Sequence, residues 1–66
     1  MKNNISNYHY VEITENGKKY SGEYKIERGM IVVEYGEVSA TTQKSYNNQV
    51  LAKLLLKELV KKQVNV

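Results

Sequence analysis

A chain of 66 residues with ten Lys plus Arg against seven Asp plus Glu, net +3, has room for one small core and none for a second. The lack of cysteine excludes disulfides, thiolate metal sites and thiol nucleophiles together, and apolar runs such as Leu54-Leu55-Leu56 fall far short of the roughly 20 residues of a membrane-spanning helix. At this size a chain buries only about 60% of the surface it exposes when unfolded, so self-association is the remaining way to add buried area.

Residues 1–7, Met1-Lys2-Asn3-Asn4-Ile5-Ser6-Asn7, are polar and read as a flexible tail without the apolar segment of a secretory signal, so cytoplasmic residence is expected. Residues 8–66 form a single β-β-β-β-α domain. Its first four segments are β-forming stretches separated by turn signals at nearly regular spacing. Asn16-Gly17 is a two-residue type I′ pair whose positive φ values match the twist of the flanking strands. Arg28-Gly29 and Gly36-Glu37 supply the next two turns.

Two-residue loops set a register, and an error of one residue would send every side chain to the wrong face. Around the first turn His9 faces Tyr24, Val11 faces Gly22 and Ile13 faces Tyr20. The same face continues through the second turn as Ile26 with Ile31, Tyr24 with Val33 and Gly22 with Tyr35. Through the third it continues as Tyr35 with Val38, Val33 with Ala40 and Ile31 with Thr42. All three turns thus nominate one apolar face, the agreement between levels expected of a foldable sequence. Gly22, between Val11 and Tyr35, leaves room for a ring or for close approach of a helix.

The helix is predicted from an N-cap at Asn47 to about Gln63. At about 100° per residue, Leu51, Ala52, Leu55, Leu56, Leu59, Val60 and Gln63 fill one half of the cylinder and pack on the sheet. The opposite arc carries Lys53, Lys57 and Lys61 with Val50 and Leu54 between them, and Glu58 is spaced to pair with Lys62. The predicted core is Val11, Ile13, Tyr24, Ile26, Ile31, Val33, Val38, Leu51, Leu55, Leu56 and Leu59. All six aromatic residues are tyrosines, whose hydroxyls place the rings at boundaries between core and water.

Little in this pattern is catalytic. The single histidine, His9, falls on the core-facing side near Tyr24 and reads as a partly buried structural imidazole. No aspartate exists, and the nearest carboxylate pair, Glu23 opposite Glu34, fits a solvated sheet face better than a general acid. Ser21, Ser39 and Ser45 have no basic partner. The four glycines are scattered rather than arrayed to cradle phosphate. One histidine with dispersed glutamates does not close a metal site. Neither a catalytic residue nor a cofactor is expected.

The remaining surfaces are more informative. The outward sheet face carries Tyr8, Lys25, Val32 and Thr41 in one cross-strand row with Tyr10 and Met30 beside it, rimmed by Glu12, Glu23, Glu27 and Glu34. An apolar centre with a polar rim is the anatomy of a modest protein interface, so Tyr8, Tyr10, Lys25, Met30, Val32 and Thr41 are the candidate partner-binding residues. Both edge strands, residues 8–14 and 38–43, are uncharged over much of their length and lack proline, which leaves them open to pairing with another chain.

Charge is divided unevenly: residues 1–43 carry five basic and six acidic side chains, and residues 44–66 five basic and one acidic. Lys44, Lys53, Lys57, Lys61 and Lys62 therefore offer an alternative, weak and largely non-specific nucleic-acid surface. Lysine in place of arginine leaves it without bidentate base readout.

The stretch Lys19-Tyr20-Ser21-Gly22-Glu23-Tyr24, followed by Met30-Ile31-Val32-Val33, Thr41-Thr42-Gln43 and Leu51-Ala52-Lys53-Leu54-Leu55-Leu56-Lys57-Glu58-Leu59, resembles a group of short uncharacterised bacterial proteins with a β-meander and a leucine-rich helix. The likeness covers about residues 16 to 62 and implies a fold, with no activity attached. The expected structure is α+β, a four-stranded antiparallel β-meander with one C-terminal α-helix packed on one face. The expected role is a non-enzymatic interaction module that binds another protein or forms a homodimer through the open sheet face or an edge strand, with no membrane partner.

Overall fold

The computed structural model describes residues 8–64; the tail expected at residues 1–7 lies outside the described residues. Strands β1 (His9–Glu15), β2 (Lys18–Glu27), β3 (Met30–Tyr35) and β4 (Val38–Gln43) precede a single helix, α1 (Asn48–Val64). The strands lie in the order β1-β2-β3-β4, and each neighbouring pair is antiparallel. This is the predicted α+β meander with one helix.

The turns explain the register. Asn16 and Gly17 have φ of 54° and 80°, and Arg28 and Gly29 have 55° and 77°, so both hairpins close with the left-handed pair of a type I′ turn. The third has its positive φ, 59°, at Gly36, the first central position as in a type II′ turn. The predicted alignments follow: Val11 opposite Gly22, Tyr24 opposite Val33 and Tyr35 opposite Val38. One predicted pair differs. The β2–β3 ladder ends at Glu23 with Glu34, one position short of Gly22 with Tyr35. Here β2 presses against its neighbours, because a Cβ built on Gly22 would stand 2.6 Å from the Glu34 carbonyl oxygen and 3.1 Å from Leu56 Cδ1. The glycine thus admits the helix, and on the same face the Tyr20 and Tyr35 rings meet edge-on at 6.4 Å.

Beyond β4 the Lys44 N–H donates to the Gly29 carbonyl at 3.0 Å, which ties the strand end to the second turn. The chain then enters α1 through side-chain caps. Asn47 Oδ1 accepts from the Val50 N–H at 3.2 Å, Asn48 Oδ1 from the Ser45 N–H at 2.7 Å, and Ser45 Oγ from the Asn47 N–H at 3.2 Å. Asn47 is the N-cap expected from sequence; Ser45 meets the N–H of the cap residue itself, and Asn48 ties back the Ser45 N–H ahead of the helix.

Val11, Tyr24, Ile31, Val33, Ala52, Leu56, Leu59 and Val60 form the buried core. Of the predicted core, Ile13, Ile26, Val38, Leu51 and Leu55 are only partly buried and pack around it. The reason is coverage: α1 packs chiefly over β1 and β3, so side chains toward the strand ends and on β4 keep an open side. Gln63, placed by periodicity on the buried arc, is exposed; it lies in the last turn of the 17-residue helix, three positions past the buried Val60. His9 also departs from expectation. It is exposed, its ring lying against Tyr24 with centroids 5.1 Å apart. Tyr24 itself is buried, whereas Tyr8, Tyr20 and Tyr35 are half-buried at margins and Tyr10 and Tyr46 are exposed. Among the described residues no helix is long and apolar enough to cross a membrane.

Candidate interaction surfaces

The face of the sheet opposite α1 is organised by register into three rows. Lys25, Val32 and Thr41 align across β2, β3 and β4, and Tyr8, just before β1, joins them because its ring lies 5.3 Å beneath the Lys25 ammonium. To one side Glu27, Met30 and Gln43 align; to the other, Tyr10, Glu23, Glu34 and Ser39. All six candidate partner-binding residues therefore occupy one continuous patch.

Polar contacts order that patch. The Tyr8 hydroxyl donates to Glu34 Oε2 at 3.0 Å, and Lys25 Nζ sits 3.3 Å from Glu27 Oε1. Hydrogen bonding to Glu27 first, then to Tyr8, raises the Lys25 pKa above the usual lysine value, with charge attraction to Glu27 adding to it. Lys25 is thereby committed to carboxylate and ring on its own sheet. Met30 and Val32 are half-buried, Thr41 is exposed and Tyr10 is 65% exposed. At the Tyr10 end a shallow cleft of about 290 Å³ is lined by Tyr10, Ser21, Gly22, Glu23, Glu34 and Gly36. Glu23 and Glu34 are cross-strand partners there, so the cleft is acidic. Its chemistry suits a cationic side chain laid against an aromatic ring.

The second surface is the outer side of α1. Lys53, Lys61 and Lys62 are exposed there, whereas Lys57 Nζ is 3.4 Å from Glu15 Oε2 on β1, which engages one member of the predicted basic row with the sheet edge. Glu58 and Lys62 form no ion pair among the described residues. Lys44 is exposed in the connection before the helix, beside Ser45 and Tyr46. It is separated from Lys61 and Lys62 by most of the length of α1, so the five lysines form a line rather than a cluster.

Sequence reasoning gave no role to Val50 and Leu54, which are 51% and 56% exposed, or to the fully exposed Tyr46. Their signal was present for the helix pair, an i, i+4 apolar repeat in the middle of a lysine arc. Beside them a groove of about 600 Å³ between α1 and β4 is lined by Ala40, Leu54 and Leu55, with Lys57, Glu58, Lys61 and Lys62 along it. Along it the inward side chains of β4, Val38 and Ala40, are only partly buried by α1.

For chemistry, the residues weighed from sequence are dispersed. His9 is at the start of β1, Ser45 serves the helix cap, and Ser21 and Ser39 are exposed on the open face. Among the described residues no group of three or more His, Cys, Asp or Glu side chains has the spacing to hold a metal ion. Comparison of the chain with protein-family models, with curated proteins and with solved structures finds no match.

Proposed function

We propose that this protein is a non-enzymatic interaction module that self-associates, with the open face of its sheet as the docking surface. The observation that carries the reading is Val32 in the middle strands of the sheet with Met30 at the start of β3, two half-buried apolar side chains on a face that no element among the described residues covers. They are flanked by Tyr8 and Tyr10 and rimmed by carboxylates. A sheet face meant only for water alternates polar residues there, whereas an apolar centre with aromatic flanks and a charged rim suits a docking patch. The small core supplies a motive, since contact with a second copy adds the buried area that a chain of 66 residues lacks. The uncharged edge β4 offers an accessory site for strand pairing.

Sedimentation equilibrium or light scattering at micromolar concentration tests this. The wild type is expected to exceed the monomer mass, and Val32→Lys, which sets an ammonium in the middle of the patch, is expected to weaken association by about tenfold or more. A wild type that stays monomeric as its concentration is raised would overturn the reading.

The exposure of Lys44, Lys53, Lys61 and Lys62 favours a second reading, weak nucleic-acid binding along α1. It predicts binding to duplex or single-stranded DNA at about 50 mM salt that falls steeply as salt rises, and that is lost when Lys53, Lys61 and Lys62 are changed to Glu. No binding at the lower salt would remove it.

A further inference from the structure

Two exposed surfaces on opposite sides of the fold share one plan with opposite sign. Along the outer side of α1, Val50 and Leu54 form an exposed apolar pair, accompanied by Lys53 and Lys61, with Lys57 between them engaged by Glu15. On the open face, Met30 and Val32 with Tyr10 form the apolar part, and Glu12, Glu23, Glu27 and Glu34 surround it. The one lysine at its centre, Lys25, is paired with Glu27, so Glu12, Glu23 and Glu34 carry the negative charge left over. The division of charge along the chain, net −1 over residues 1–43 and +4 over residues 44–66, is thus also a division between the sheet and the helix.

We infer that the occupant of the open sheet face is the outer face of α1 from a second copy of this chain, docked head to tail. The inference rests on the reading of the open face as a docking surface and supplies its partner. Sheet face against sheet face brings carboxylates together, and helix against helix brings lysines together. Only sheet against helix sets opposite charges around joined apolar centres. The acidic cleft beside Tyr10 is the receptor for a lysine of the incoming helix. Because the two patches are different and lie on opposite sides of one chain, the contact is heterologous. Copies then add in rows or rings instead of stopping at a two-fold pair.

Charge exchange between copies tests the pairing. One variant carries Lys53→Glu with Lys61→Glu and the other Glu12→Lys with Glu23→Lys; none of these four side chains is in an ion pair among the described residues. Far-UV circular dichroism verifies that each is folded, and the milder replacements by Gln at the same positions stand in for any that is not. Wild-type assembly is expected to grow with concentration and to weaken as salt is raised. Each double reversal alone should reduce association by about tenfold or more. An equimolar mixture of the two should restore it, since every contact in an alternating row then joins unlike charges. Association lost in Val32→Lys but indifferent to the reversals, or unrestored in the mixture, would overturn the inference while leaving the open face as a docking surface. Association indifferent to all of these variants, as for pairing through β4, would overturn both, and so would a wild type that remains a monomer.

Discussion

At the scale of single residues, the turns show how much conformation a few positions carry. Asn16 and Arg28 both occupy the left-handed region, but their chemistry differs. Asn visits that region readily through local hydrogen bonding of its short side chain, whereas other L-residues are held there at a cost of order 1 kcal/mol. Arg28 is in no hydrogen bond or ion pair that would offset this cost among the described residues. Arg28→Asn, which makes the second hairpin a copy of the Asn-Gly turn at Asn16-Gly17, is therefore expected to stabilise the fold by about 0.5–1 kcal/mol. In thermal unfolding that corresponds to a rise in Tm of roughly 2–8 °C for a domain of this size; a Tm that falls would show that the side chain contributes elsewhere. Lys25 illustrates the reverse case. Sequence placed it correctly in its cross-strand row, yet its engagement with Glu27 and Tyr8 depends on rotamers that row membership does not specify.

At the scale of elements, the decisive position is where β2 passes beneath α1. Gly22 has an ordinary backbone φ, so alanine there incurs no conformational strain and by chain entropy alone would stabilise slightly. The surroundings reverse that sign. A new Cβ would meet the Glu34 carbonyl oxygen at 2.6 Å, and a backbone oxygen within a ladder cannot yield as a side-chain tip can. Gly22→Ala is expected to destabilise by about 1–3 kcal/mol, measured by urea unfolding, and to loosen the Leu56 contact. The opening that the sequence assigned to a ring or a helix is used by the helix, with the Tyr20 and Tyr35 rings set beside it. Hairpin order, register and the Asn47 cap were legible because each depends on residues close in sequence. The exposure of Gln63 and the half-exposure of Ile13, Ile26 and Val38 were not, since they depend on where a finite helix comes to rest over the sheet.

At the scale of the whole molecule, one helix covers one face of four strands, and the other face keeps the apolar pair Met30 and Val32 in reach of solvent. If this face docks a second copy, folding and association are linked, and apparent stability rises with protein concentration. Thermal unfolding over a hundredfold range of concentration should therefore show a Tm that climbs for the wild type. It should be nearly constant for Val32→Lys, whose docking is impaired. A wild-type Tm independent of concentration would mean that the native monomer draws no support from its neighbours. The candidate patch itself was legible, because strand alternation sorts Tyr8, Tyr10, Lys25, Met30, Val32 and Thr41 to one side once the turns are known. The exposed Val50 and Leu54 were visible as a spacing, but their availability depends on α1 turning Ala52, Leu56 and Leu59 to the sheet and on nothing among the described residues packing on its outer side.

Local chemistry in the sequence determined the four strands, their turns, their register, the helix start and the sorting of side chains into two faces, because backbone dihedral preference and side-chain period act over a few residues. The tertiary structure alone decided which of those faces is finished. The rest position of α1 engages Lys57 with Glu15, leaves Gln63 exposed and Leu54 and Leu55 along an open groove, and spares the acidic sheet face. Those outcomes follow from the packing of one cylinder against a twisted surface, where shape and contact between distant residues select among placements that the local pattern leaves equivalent.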